Sequence, residues 1–330
     1  MGEYLRRSPM ASAIRRAERS GSCVLPTSRA ERERYVRAVG YGMLVSPMGS
    51  MYARAEYWQD LSVAEQALHC MRTVQRLHPT WVFCGPPAAL VYGLEVPERF
   101  MWPLRLAKGR GQNTRPSSEF VRVIVEDAHP MVVDQIRVTS FERTVFDCLR
   151  EMDFADGLAL ADSALMRSGL SCEELMGRLD MMRNRNHGGL HAMETLRYAD
   201  PHASGALESR MRARAIELGF IVPMTHVACA LPDGRTGDGV IAWERADGAR
   251  MAIVVDPHLR QDAWAREEVT GSGEMPNVHL ARVSIEYLRT LSSFEELLDE
   301  LGVPRRTGAS DRGVEKPFIP TGLTQQGGAG

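Results

Sequence analysis

Five consecutive apolar residues, Met251 to Val255, constrain the fold of this chain more than any other segment. A strand whose side chains are apolar on both faces has to be covered on both faces, so it belongs at the centre of a sheet. Further strands are expected at about 224–230, 239–243 and 278–283. The segment Ala206–Leu218 carries Leu207, Met211, Ala215 and Leu218 in one stripe, which predicts an amphipathic helix stopped by Gly219. A closing helix follows at Ser293–Leu301. The fold class expected is therefore mixed α/β, of the α+β kind.

Upstream, the pattern is helical. Four helices are expected over 140–151, 154–168, 172–183 and 187–199, two of them opened by capping boxes, Thr139 with Glu142 and Ser171 with Glu174. Leu61–Leu77 is a further helix with Ala64, Ala67, Leu68 and Met71 on its buried face. Trp81–Cys84 and Phe120–Val125 read as strands, Pro86–Tyr92 as a helix with proline in its first turn, and Pro103–Ser118 as a polar loop. Arg29–Val39 is a charged helix, and a Pro-Gly turn at Pro47–Gly49 between short apolar stretches suggests a small hairpin. That pairing suits a winged-helix remnant or a small α/β cap. The expected layout is a flexible basic arm over 1–28, an α/β region over 29–138, a helical block over 139–200, a second α/β domain over 201–304 and a disordered tail over 305–330.

Composition narrows the function classes. The 330 residues carry 40 basic and 42 acidic side chains, a net charge of −2, so any nucleic-acid binding must come from a local patch. Lys108 and Lys316 are the only lysines, which leaves lysine-dependent chemistry almost nowhere to reside. No run of 18 apolar residues occurs, so no membrane partner is expected. Six cysteines lack zinc-knuckle spacing and sit mostly in apolar stretches, as in a reduced, cytoplasmic protein. His187 and His191 are spaced for one helix face, but Gly188 and Gly189 between them favour a helix start. Walker A, G-x-S-x-G and H-E-x-x-H motifs are absent.

Several stretches carry a resemblance in combination: Val82–Ala89 with Tyr92-Gly93-Leu94, Thr139–Asp147, Ala159–Arg167, and Leu207–Arg210 through Ile216–Phe220. Over roughly residues 30–304 the chain resembles actinobacterial proteins that place an AbiEi-antitoxin-like winged-helix region before a domain like the very-short-patch repair endonucleases, of the PD-(D/E)xK type. The resemblance implies metal-ion hydrolysis by a helix acid and two strand acids. Those positions fall on Glu208, Asp238 and Asp256, with His258 a candidate general base and Mg²⁺ or Mn²⁺ the implied ion. The motif departs from the family: Val254 stands where a further acid is expected, Pro257 replaces a glycine, and no lysine lies in the domain. Loss of a carboxylate removes a ligand and a full charge, so a fold retained without catalysis is expected. The function expected is a DNA-binding regulator of the antitoxin type, with a toxin or other protein as a further partner. The alternatives are an active metal-dependent endonuclease, and a protein-interaction module without a DNA role. Candidate DNA contacts are Arg29, Arg32, Arg34 and Arg37 on the charged helix, and Lys108, Arg110 and Arg115 in the polar loop, a stretch without an acid.

Overall fold

Serine three residues before glutamate starts helices in this chain because the serine hydroxyl accepts a backbone N–H and the glutamate reaches back to the serine. Ser62 with Glu65 and Ser171 with Glu174 close both bonds. The expected box at Thr139 and Glu142 does not form. Ser140 accepts the Arg143 N–H instead, and the Thr139 hydroxyl bonds the Thr144 hydroxyl at 2.7 Å.

The computed structural model describes residues 9–111, 118–183, 187–225, 238–244, 250–256, 258–259, 264–269, 278–285 and 290–306. The chain divides into two compact units, Met1–Cys148 and Leu149–Gly330.

The first unit begins with α1 (Pro9–Arg19) and α2 (Arg29–Gly40), followed by the antiparallel pair β1 (Leu44–Val45) and β2 (Ala53–Arg54). Ile14, Ala17, Val24, Tyr35, Ala38, Leu44 and Tyr52 form their common core, with the Tyr35 and Tyr52 rings stacked 5.0 Å apart. The expected loose arm over 1–28 is thus corrected over residues 9–28. Ala11, Ile14 and Ala17 recur every three residues and bury one face of α1, while its arginines point outward. The abundance of Arg and Ser masked that narrow stripe.

Then follow α3 (Ala55–Asp60), α4 (Val63–Leu77) and α5 (Pro86–Val91). The strands are β3 (Leu104–Lys108), β4 (Phe120–Ile124), β5 (Met131–Val133) and β6 (Ile136–Val138), and α6 (Phe141–Leu149) completes the series. β3 and β4 are parallel, β5 and β6 antiparallel, and Phe83 bridges Leu106 on one side and Val138 on the other. α4 covers this sheet through Cys70, Met71 and Val74 against Phe83, Leu104, Leu106, Ile136 and Val138. The loop expected over Pro103–Ser118 is corrected to a strand in its first half. Leu104 and Leu106 alternate inward and are fully buried, a period of two hidden by the Gly-rich sequence after it.

His69 on α4 is buried, with Nδ1 facing the Glu65 carbonyl at 2.7 Å and Nε2 facing the Tyr57 hydroxyl at 2.8 Å. Burial holds its imidazole below the usual histidine range. Tyr92 packs edge-on against Phe141 and donates its hydroxyl to the Thr139 carbonyl, which anchors the start of α6 in this unit.

The second unit contains α7 (Phe154–Ser168), α8 (Cys172–Arg183), α9 (Gly189–Leu196) and α10 (Ala206–Glu217). The strands β7 (Asp238–Glu244), β8 (Arg250–Val255), β9 (Trp264–Val269) and β10 (Val278–Val283) come next, before α11 (Leu291–Glu300). Gly188, at φ +79°, precedes α9. A Cβ there would lie 2.7 Å from the Arg150 carbonyl oxygen, so glycine is required on two counts.

The sheet order is β7-β8-β10-β9, with β8 and β10 parallel and the other pairs antiparallel. β8 is central, as its apolar run demands. Ile241, Trp243, Met251, Ile253, Val255, Ala281 and Val283 on one face share a core with Met211 and Ala215 of α10 and Phe294, Leu297 and Leu298 of α11. Ala242, Ala252, Val254 and Leu280 on the other face are buried too. Strand β9 was not expected from the sequence. Arg305 pairs with Asp299 and Glu295 and lies over the Phe220 ring, so the fold includes the first residues of the expected disordered tail. Residues 307–330 lie outside the described residues. Among the described residues no helix is long and apolar enough to cross a membrane.

Candidate nucleic-acid surface and acidic cluster

In α2, Tyr35 and Ala38 turn into the core, which forces the residues on the opposite side of the helix into solvent. Arg29, Arg32, Glu33, Val36 and Arg37 line an open groove of about 540 Å³ on that exposed side. Ser28 caps the helix by accepting the Glu31 N–H at 3.1 Å, and Glu31 itself bonds Thr27, so the Glu31 carboxylate is turned away from the groove arginines. Those bonds hold Glu31 below the usual carboxylate range. Glu33 pairs with Arg29 at 3.2 Å, both side chains being exposed. Such a pair adds about 0–1 kcal/mol and yields readily to a phosphate. Arg34 bonds the Ala30 carbonyl at 3.3 Å and lies outside the groove. The structure therefore gathers three of the four expected α2 arginines.

The expected basic loop is broken up. Lys108 ends β3 opposite Ile124. Arg110 pairs with Glu126 at 2.7 Å, an acid from outside the acid-free stretch. Arg115 lies outside the described residues.

Glu208 is on the first turn of α10, Asp238 opens β7 and Asp256 follows β8. The register sets Asp238 opposite Val255, beside Asp256, and a bulge at Gly239 shifts the pairing after it. The Asp238 side chain lies outside the described residues.

The surroundings of Asp256 and Glu208 are those of structural groups. Asp256 is completely buried. Arg282 of β10 donates to its Oδ2 from Nε at 3.0 Å and also from Nη2, while the His258 backbone N–H donates to Oδ1 at 2.9 Å. A guanidinium on that carboxylate repels the divalent cation that hydrolysis would need. Glu208 is buried, accepts the Ser204 hydroxyl on Oε2, and leaves Oε1 without a partner. Arg212, one turn further along the same helix, does not pair with it. Arg212 turns to Asp162 of α7 with 2.8 and 2.7 Å bonds, and its Nη1 lies 3.5 Å from Asp200. Burial pushes the Asp162 carboxyl up to about 6, opposed by Arg212, Ser209 and the Asp200 N–H. Among the described residues no three acidic, histidine or cysteine side chains converge as a metal cluster. As arranged, Asp256 does not fit a resident Mg²⁺ or Mn²⁺. The His258 ring is exposed, the His191 ring faces the Met152 carbonyl at 2.9 Å, and the helix starts at Gly189, as the two glycines between His187 and His191 suggest.

Arg282 escaped sequence reasoning, although one signal was available: an arginine next to the end of the mostly apolar strand Val278–Val283. Compared with known proteins, the chain matches no family model and no curated sequence.

Proposed function

We propose that this chain is a DNA-binding regulator of the antitoxin type, with a nuclease-like second unit that no longer cleaves. The observation that supports binding is the exposed arginine groove of α2, carried on a two-helix body with a short two-stranded wing. Arg32 and Arg37 reach phosphates from a rigid helix whose other side is anchored by Tyr35. The supporting observation against cleavage is Arg282 on Asp256, where a cation would have to sit.

Binding of this kind is mainly electrostatic, so it weakens as salt rises. The test is fluorescence anisotropy of a labelled duplex of about 30 base pairs, titrated over a salt series. Arg32→Ala with Arg37→Ala is expected to weaken binding across unrelated sequences and to reduce the salt slope by about two, one per lost phosphate contact. An unchanged slope would move the contact surface off α2.

A further inference from the structure

A cavity of about 620 Å³ opens where three segments of the first unit meet. The C-terminal end of α1 brings Arg19. The C-terminal half of α4 brings Arg72 and Arg76. The β5–β6 hairpin brings Arg137 and Asp134. Four guanidiniums thus line one space with a single carboxylate, in a chain whose overall charge is −2. Like charges held together are unfavourable unless an anion joins them.

The geometry shows which charges are committed. Arg72 bonds Asp134 through Nε at 3.1 Å and again through Nη2, and donates Nη1 to the Gly21 carbonyl at 3.0 Å. Gly21 sits at φ +55°, and a Cβ on it would lie 2.7 Å from Arg72 Nη1, so the α1 end is shaped to let this guanidinium in. Arg137 is held at its backbone by Gln75, whose Oε1 accepts its N–H at 2.9 Å, while its own Nε is buried with no partner. No ion pair engages Arg19, Arg76 or Arg137 among the described residues. A buried guanidinium N–H without an acceptor is costly, and an incoming oxyanion removes that cost.

We propose that this cavity is a phosphate-binding site, built for a ligand presenting two or more phosphates at once. Its volume is in the range of ligand pockets and exceeds what one phosphate fills. Among the described residues no aromatic ring lines it, so recognition rests on the phosphates rather than on a base. Such phosphates belong either to a free polyphosphate-bearing molecule or to a nucleic-acid backbone. The site does not depend on the α2 groove, and either can fail without the other.

Isothermal titration of the full chain with inorganic tripolyphosphate at low salt tests it. Binding is expected in the wild type. It should weaken at least tenfold in Arg19→Ala with Arg76→Ala, two exposed positions whose loss spares the fold, and tenfold again with Arg137→Gln. Asp134→Asn removes the competing carboxylate and should tighten binding several-fold. Absence of tripolyphosphate binding in the wild type, or binding unmoved by these substitutions, would overturn the site. Repeating the duplex titration with tripolyphosphate present then identifies the source. Competition assigns the site to the backbone, and unaffected duplex binding assigns it to a free ligand.

Discussion

Arg212→Ala is expected to destabilise the second unit by about 3–5 kcal/mol, the cost of leaving a buried charge without its partner. Asp162 and Arg212 are only 4 % and 3 % exposed, so water cannot replace the lost guanidinium. The pair ties α7 to α10, and the same guanidinium reaches toward Asp200, which also takes the Thr225 hydroxyl. Its removal therefore loosens three segments together. The variant should also acquire a characteristic pH dependence. Burial already holds Asp162 near 6, above its unfolded value of 3.8, and without Arg212 the folded carboxyl rises further. A carboxyl raised in the fold stabilises below its unfolded value and loses that contribution as pH rises through its folded value. Arg212→Ala should therefore melt higher at pH 5 than at pH 7, relative to the wild type. Replacing both partners, Asp162→Leu with Arg212→Met, should recover most of the loss because no charge is left buried. Differential scanning calorimetry of the three chains at both pH values checks this. Equal melting of Arg212→Ala and wild type would mean that the pair does not hold α7 to α10.

Trp243→Ala is the other large effect, again about 3–5 kcal/mol. Trp243 lies on β7 in the core beneath α10 and α11 and is the largest fully buried side chain among the described residues. Its indole Nε1 donates to the Ile221 carbonyl at 2.9 Å, joining β7 to the segment after α10. Truncation leaves a cavity and also an unpaired carbonyl. Trp243→Phe keeps most of the volume and loses only the donor, at a cost of about 1–3 kcal/mol. Urea denaturation followed by circular dichroism separates the two. If the phenylalanine variant falls as far as the alanine variant, the hydrogen bond outweighs the packing.

Much of the second unit could be read from the chain because its patterns are local. The run Met251–Val255 implies a covered central strand, and β8 is one. Ser171 and Glu174 imply a cap and make it. The misreadings share a physical cause. At α1 the buried stripe is only three residues, two of them alanine, and arginine dominates the polar face. At β3 two leucines alternate for less than one typical strand length beside a Gly-rich stretch. At Thr139 two adjacent hydroxyl residues can each cap the start of the helix, one through the Glu142 N–H and the other through the Arg143 N–H, and Ser140 takes that role.

The sites divide in the same way. Arg29, Arg32 and Arg37 of α2 are legible because they share a helix face. Arg282 on Asp256 is a pairing between strands separated by a long connection. The cavity formed by Arg19, Arg72, Arg76 and Arg137 draws on three distant segments, and no spacing rule brings them together. Glu208 was recognised as a helix acid, but the choice of Arg212 for Asp162 depends on how α7 packs against α10.

As proposed, this chain holds DNA and leaves it intact. The direct measurement is one incubation of end-labelled duplex with the protein in Mg²⁺ at low salt, divided between a native and a denaturing gel. The account predicts a retarded duplex on the first and full-length strands on the second. An unshifted duplex, or cut strands that become whole again in Asp256→Asn, would contradict it.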